Sequence, residues 1–213
     1  MVNASLLFSS AKFAMFTIRP LLLMFLVVLS GFSIQLNKPY QTRWLITKGC
    51  SLNVGGSTNV NKFSCVIANY YRPDTLVFYR GTSLSEIKVK GSLRLNVENF
   101  DCHNPVMTSD LRKTLKAKQF PDLIVHFISI SKYPGDGGEA VRGAVLIELA
   151  GVTRRFDIAY TFIRNDNNAF TLIGTRRLNF SDFNIIPPRK IGGMIQTNNE
   201  LNVQFKLNAK IIE

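Results

Sequence analysis

Apolar and polar residues alternate with a period of two along most of this chain, the pattern of half-buried β-strands. The stretch Val141 to Phe162 shows it best. Val141, Gly143, Val145, Ile147 and Leu149 fall on one face of a first run. Phe156, Ile158, Tyr160 and Phe162 fall on one face of the next. Between them, Ala150-Gly151-Val152-Thr153 is a short break whose glycine supplies a positive φ. The pattern predicts a β-hairpin with one apolar face. The final run is equally regular: Leu201, Val203, Phe205, Leu207, Ala209 and Ile211 alternate with Asn202, Gln204, Lys206, Asn208 and Lys210. Phe170, Leu172, Gly174, Arg176, Leu178 and Phe180 share a face. So do Val89, Gly91, Leu93, Leu95 and Val97, with Lys88, Lys90, Ser92, Arg94 and Asn96 opposite.

Shorter strands are predicted at Trp44–Thr47, Ser51–Val54, Asn61–Tyr71, Thr75–Tyr79 and Leu123–Ser131. The last is apolar on both faces, which predicts a covering helix. Gly55–Asn59, Pro73-Asp74, Pro134–Gly138 and Asn165–Asn168 read as breaks, and Ser181–Gly193 as a long irregular connection. The period changes once. Met107, Leu111 and Leu115 recur every four residues, with Thr108 or Ser109 as the cap, Asp110 in the first turn, Lys116 and Lys118 near the end, and Pro121 as the stop. The leucine face of this helix fits core packing or a barrel plug better than a cofactor box.

A sheet of eight to ten strands must close or fold into two layers, because open edges template aggregation. The prediction is an all-β, antiparallel up-and-down barrel of about eight strands with one short helix. The side chains expected to line it are Val89, Leu93 and Leu95, then Val145 and Ile147, then Phe156, Ile158, Tyr160 and Phe162, then Leu172 and Arg176, and finally Leu201, Val203, Phe205 and Leu207. An inward arginine would anchor a headgroup or stand at the mouth in water; the mouth is favoured. Repeated Lys, Arg, Glu and Asn on the other face suit water rather than the lipid-facing wall of an outer-membrane barrel.

The N-terminus changes the picture. Pro20–Gly31 is nearly all apolar, Arg19 precedes it, and Gly31-Phe32-Ser33 ends it with small residues at the positions a signal peptidase reads. Residues 1–33 are expected to be a signal peptide and residues 34–213 the barrel domain, with Met15 as an alternative start. The apolar run falls short of the ~20 residues a spanning helix needs, so no stable membrane span is expected once the signal is removed. The expected location is periplasmic or secreted. The formal charge is +12, from 26 Lys and Arg against 14 Asp and Glu. Removing Lys12 and Arg19 leaves 24 against 14, or +10. The basic residues are scattered, which describes a solvated exterior, and an exported protein meets no nucleic acid.

Export makes the three cysteines disulfide candidates. Phe63-Ser64-Cys65 and Phe100-Asp101-Cys102 each place a Phe and a Cys on one face. This favours a Cys65–Cys102 bridge with Cys50 free; three buried thiols are the alternative. No catalytic residues, metal ligands or cofactor are assigned. His103 and His126 are the only histidines, and Cys102 and His103, adjacent in an extended segment, point to opposite faces.

Several segments, in order, resemble the YceI-like family: Gly-Ser-Thr-Asn-Val-Asn-x-Phe-x-Cys at 56–65, Phe-Asp-Cys at 100–102, Asp-Leu-x-x-x-Leu at 110–115, Phe120-Pro121-Asp122-Leu123-Ile124, Ala-Gly-Val-Thr-Arg at 150–154, and Asp-Phe-x-Ile-x-Pro-Pro at 182–188. The resemblance spans roughly residues 44–212. It implies a lipocalin-like barrel in the periplasm that holds a long apolar chain, a polyisoprenoid or polyprenyl quinone, as its ligand. Asn184 stands where many members have glycine, and Cys65 with Cys102 resemble a cysteine-containing subgroup. The function expected is an exported, non-enzymatic protein holding an isoprenoid, quinone or fatty chain for transport, storage or sequestration. The alternative is a side-chain-filled barrel that acts as a structural or protein-interaction module, with Pro187-Pro188 and Gly192-Gly193 as its contact surface.

Overall fold

The computed structural model describes residues 40–70, 72–80, 86–133, 140–165 and 168–212. The expected signal peptide, the choice between Met1 and Met15, the Pro134–Gly138 loop and the centre of the Asn165–Asn168 turn lie outside the described residues. The strands are β1 (Tyr40–Ile46), β2 (Cys50–Ser57), β3 (Lys62–Tyr70), β4 (Thr75–Arg80), β5 (Ile87–Lys90), β6 (Ser92–Asn96), β7 (Asp122–Ile130), β8 (Ala140–Leu149), β9 (Val152–Arg164), β10 (Ala169–Asn179), β11 (Arg189–Lys190), β12 (Ile195–Gln196) and β13 (Glu200–Ile211). One α-helix, α1, spans Pro105–Thr114, and 3₁₀ turns occupy Val97–Asn99, Phe180–Phe183 and Ile191–Gly193.

The pairing closes on itself. β13 takes β1 along its end at Ala209–Ile211 and β2 along Asn202–Lys206. β1 and β2 therefore act as one bent strand. β3 and β4, which pair with β2 and β1, form the next, and β5 with β6 the third, laid along β7. Then β7, β8, β9, β10 and β13 follow in chain order, all antiparallel. The result is an eight-stranded up-and-down barrel with one short helix, the architecture the alternation predicts.

Local chemistry explains the joints. β8 and β9 meet through Ala150 (φ 51°) and Gly151 (φ 80°), a two-residue loop whose positive φ values match the twist of the paired strands. The predicted Ile87–Val97 strand is divided at Gly91, where φ is +146° and a Cβ would stand 2.6 Å from Leu76 and from the Thr75 carbonyl. β7 buries residues on both faces, Ile124 as well as Leu123. A bulge between Phe127 and Ser129 shifts the parity, so Phe127 and Ile130 both enter the core.

Two local expectations are corrected. Gly55 and Gly56 do not break β2: they stay in its ladder, and the Phe63 ring lies over Gly56, where a Cβ would come within 2.3 Å. The break comes at Thr58–Asn61, where the Thr58 hydroxyl accepts from the Val60 and Asn61 N–H groups. The helix cap is Asn104, whose side chain accepts from the Met107 N–H at 3.0 Å, with Pro105 in the first turn. Thr108 is instead buried and accepts from the Cys102 N–H at 2.9 Å. The helix ends well before Pro121, where Lys116 turns left-handed at φ 55°.

One seam interrupts the wall. In the half of the barrel beside α1, β3 has β2 as its ladder partner and, among the described residues, only an isolated Val66–Asp101 bridge on its other side. The Cys65–Cys102 disulfide crosses that seam and ties β3 to the segment leading into α1, while Cys50 is free and buried. The opposite half is packed solid. Trp44 stacks on Phe170 at 4.8 Å, meets Phe78 at 4.7 Å, and takes Phe162 and Tyr133 edge-on at 5.9 Å. Its indole N–H donates to the Tyr133 hydroxyl at 3.0 Å.

Candidate ligand-binding cavity

Above the Trp44 cluster the barrel is hollow. A cavity of about 100 Å³ lies between β2, β6, β7, β8, β9, β10 and β13, and its accessible wall is apolar. Leu111 of α1 and Leu115, just past its end, reach it from the seam side. Phe180, Phe183 and Ile185, from the connection after β10, cover it. That cover is locally ordered by its own polar groups. The Asn179 N–H donates to Asp182 Oδ2 at 2.7 Å, and Arg154 Nε donates to the Asp182 carbonyl at 2.9 Å. Asn184, standing where many YceI-like sequences have glycine, sits at φ 54°. Asparagine is among the few residues that tolerate this left-handed region.

Tyr160 and Phe205 sit where the solid and hollow halves meet. Their rings are 5.7 Å apart, with Gly174 paired to both residues in the sheet. A Cβ on Gly174 would stand 2.2 Å from the Phe205 ring, and one on Gly143 would stand 2.7 Å from the Tyr160 ring. The two inward glycines leave room for these rings to lie against the wall.

Nine of the fifteen side chains expected inside line the cavity: Leu93, Leu95, Ile147, Ile158, Arg176, Leu201, Val203, Phe205 and Leu207. Arg176 lines the cavity yet is itself exposed. Val89, Val145, Phe162 and Leu172 are buried in the core away from the cavity wall. Phe156 is half-buried against Phe183 at 5.8 Å. Parity reports the face a residue occupies and is silent on its height along the barrel, which is why some of the expected residues fall outside the hollow half. Phe180 continues the alternating face of the Phe170 run, whereas Phe183 and Ile185 were hidden inside the irregular Ser181–Gly193 connection, where no alternation marks them.

Polar groups inside are few. Cys50 lines the wall, but its thiol donates to the Thr47 carbonyl at 3.1 Å and accepts from the Asn208 N–H at 3.2 Å, and burial pushes its pKa up. The Tyr160 hydroxyl has no partner, and burial raises its pKa as well. An orphaned buried hydroxyl costs about 1–3 kcal/mol. Tyr160→Phe should therefore raise the unfolding free energy by about 1 kcal/mol, measured by urea denaturation. A loss of stability would mean the hydroxyl has a partner. Cys102 is held in the disulfide while His103 is exposed. Among the described residues no three His, Cys, Asp or Glu side chains converge as a metal site.

No protein-family model matches the chain, and no curated protein matches it. Solved structures do. A polyisoprenoid binding domain from Saccharophagus degradans implicated in plant cell wall breakdown is similar at 13% identity and a TM-score of 0.54, over 81% of this chain and 99% of that one. This chain has the fold of that domain, a closed antiparallel barrel. BcnA of Burkholderia cenocepacia is similar at 14% identity and a TM-score of 0.49, over 75% of this chain and 95% of that one. The Campylobacter jejuni YceI protein is similar at 14% identity and a TM-score of 0.43, over 58% and 71%. Within this barrel, one half holds the cavity and the other is filled with aromatic side chains.

Proposed function

We propose that this protein is a non-enzymatic carrier that works outside the cytoplasm and holds part of a long apolar chain, of isoprenoid, quinone or fatty type, in the hollow half of its barrel. One observation carries the reading: a partly open cavity with an apolar accessible wall, bounded by Phe180, Phe183, Leu111 and Leu115. Such a space stays dry and gains free energy by taking up hydrocarbon. A cavity of about 100 Å³ is smaller than the ~150 Å³ space that admits benzene, so it accepts a slim chain segment rather than a ring system. Further length would be accommodated by movement of Leu111, Leu115, Phe180 and Phe183. The similar Saccharophagus degradans domain is described as polyisoprenoid binding, which supports this ligand class. The apolar leader and the disulfide support export. The alternative, a filled barrel serving as an interaction module, describes only the Trp44 half.

Organic extraction and native mass spectrometry of the purified protein should recover a bound lipid. Leu95→Trp, which pushes an indole into the cavity, should cut retained lipid or polyprenol affinity at least tenfold, about 1.4 kcal/mol, while far-UV circular dichroism stays unchanged. Repeated lipid-free preparations that also fail to bind polyprenol or fatty acid would remove the carrier reading.

A further inference from the structure

The connection that roofs the cavity on its inner side is unusually apolar on its outer side. Val60, Ile186, Ile191 and Met194 are exposed to 66%, 84%, 67% and 73%. The fold gathers them at one end of the barrel. Asn59 Nδ2 donates to the Met194 carbonyl at 2.8 Å, and the Gln196 N–H donates back to Asn59 Oδ1 at 3.0 Å. The Asn198 N–H donates to the Ser57 carbonyl at 2.9 Å. The β2–β3 turn bearing Val60 is therefore pinned to the β11–β12 hairpin. Ile186 directly follows Ile185, which faces the cavity.

The hairpin tip is held in a demanding conformation. Ile191, Gly192 and Gly193 have φ of 51°, 61° and 95°, all left-handed. A β-branched residue is rarely found there. Nothing lies within 4 Å of a Cβ built on either glycine, so the tip stands clear of the barrel. A turn needed only for connection would place asparagine or glycine at position 191. This one displays isoleucine.

Charge surrounds the apolar tip. Arg189 and Lys190 flank it, and Lys62, Arg154, Lys113, Lys116 and Lys118 are exposed at the same end. Of the acids, Glu148 and Glu200 also stand at this end, but those beside the tip and α1 are engaged. Asp110 pairs with Lys190 at 2.6 Å, which also fastens the tip to α1. Glu98 pairs with Arg112 at 3.4 Å, and Asp182 serves the cover turn. Protruding apolar side chains ringed by Lys and Arg form the pattern of an interfacial anchor for anionic bilayers.

We propose that this end of the barrel docks on an anionic membrane, with Ile186, Ile191 and Met194 entering the headgroup–acyl boundary and the surrounding basic side chains meeting lipid phosphates. The docking is independent of what the cavity holds, and it would bring the cavity cover against lipid.

The test uses the full chain carrying Met194→Cys labelled with an environment-sensitive nitrobenzoxadiazole probe. Cys50 is buried and Cys65 is bridged to Cys102, so the label goes to position 194. Vesicles of equal phosphatidylglycerol and phosphatidylcholine should blue-shift the probe and at least double its intensity. Pure phosphatidylcholine or high salt should abolish the response. A probe on Ile163→Cys, at the Trp44 end, should stay unshifted, which separates docking from any binding by the apolar N-terminal segment. Ile191→Asp or Ile186→Asp in the labelled background should weaken apparent vesicle affinity at least tenfold. The proposal is overturned if position 194 does not respond to anionic vesicles, if positions 163 and 194 respond alike, or if both aspartate variants bind as the parent does. A response to an acidic polypeptide with none to vesicles would overturn it in favour of a protein partner. Lipid content is measured separately by extraction, so failure here and failure of the carrier reading are distinct outcomes.

Discussion

Trp44→Ala will lower the unfolding free energy by about 3–5 kcal/mol, the range for removing a large aromatic from a packed core. Trp44 is almost fully buried and contacts four rings, from Phe78, Tyr133, Phe162 and Phe170. Alanine would leave a void among rings that are anchored in four different strands or their ends, so collapse into the space is limited. It would also strip the Tyr133 hydroxyl of its indole donor. Urea denaturation followed by far-UV circular dichroism checks this. Val203→Ala provides the contrast. Val203 faces space that is already empty, so its loss should cost about 1 kcal/mol or less. Equal costs at the two positions would contradict the division into a solid and a hollow half.

Replacing Cys65 and Cys102 together by alanine will destabilise the protein by about 4 kcal/mol. The bridge spans 37 residues of sequence, and the chain-entropy relation gives about that value for a loop of this length. The position adds a second consequence. The bridge crosses the seam where β3 and β6 part, and the loop it closes leads directly into α1. Without it, Leu111 and Leu115 lose a tether to the cavity. The alanine pair should therefore release bound lipid faster in addition to unfolding at lower urea. Dithiothreitol treatment of the parent protein should reproduce both effects. Stability that does not change on reduction would contradict the role assigned to this bridge.

Much of the wall was legible from alternation. The Val141–Phe162 hairpin, its glycine turn and the final strand follow from a period of two, because a pleated strand sends successive side chains to opposite faces. The closed barrel followed from the strand number and the cost of open edges. The errors share a cause. Gly55-Gly56 reads as a break because glycine weakens strands, yet the ring of Phe63 on the neighbouring strand covers Gly56 and keeps the ladder intact. Thr108 reads as a cap, yet Asn104 and Pro105 supply a better start, which releases Thr108 to bond the Cys102 backbone. In each case a partner distant in sequence, or a stronger local competitor, decides between two locally acceptable outcomes.

The chain's own pattern of apolar and polar residues determined that this protein is an antiparallel barrel with a greasy inside and a basic outside, because side-chain parity and charge are local properties. Only the tertiary structure decided that one half is solid and the other hollow. Height along the barrel axis depends on strand register and on where Trp44, Tyr160 and Phe205 meet across the sheet, and no single strand encodes those distances. The same holds for the roof: Phe183 and Ile185 joined Phe180 as cavity walls because a connection without periodicity folded back over the end of the barrel.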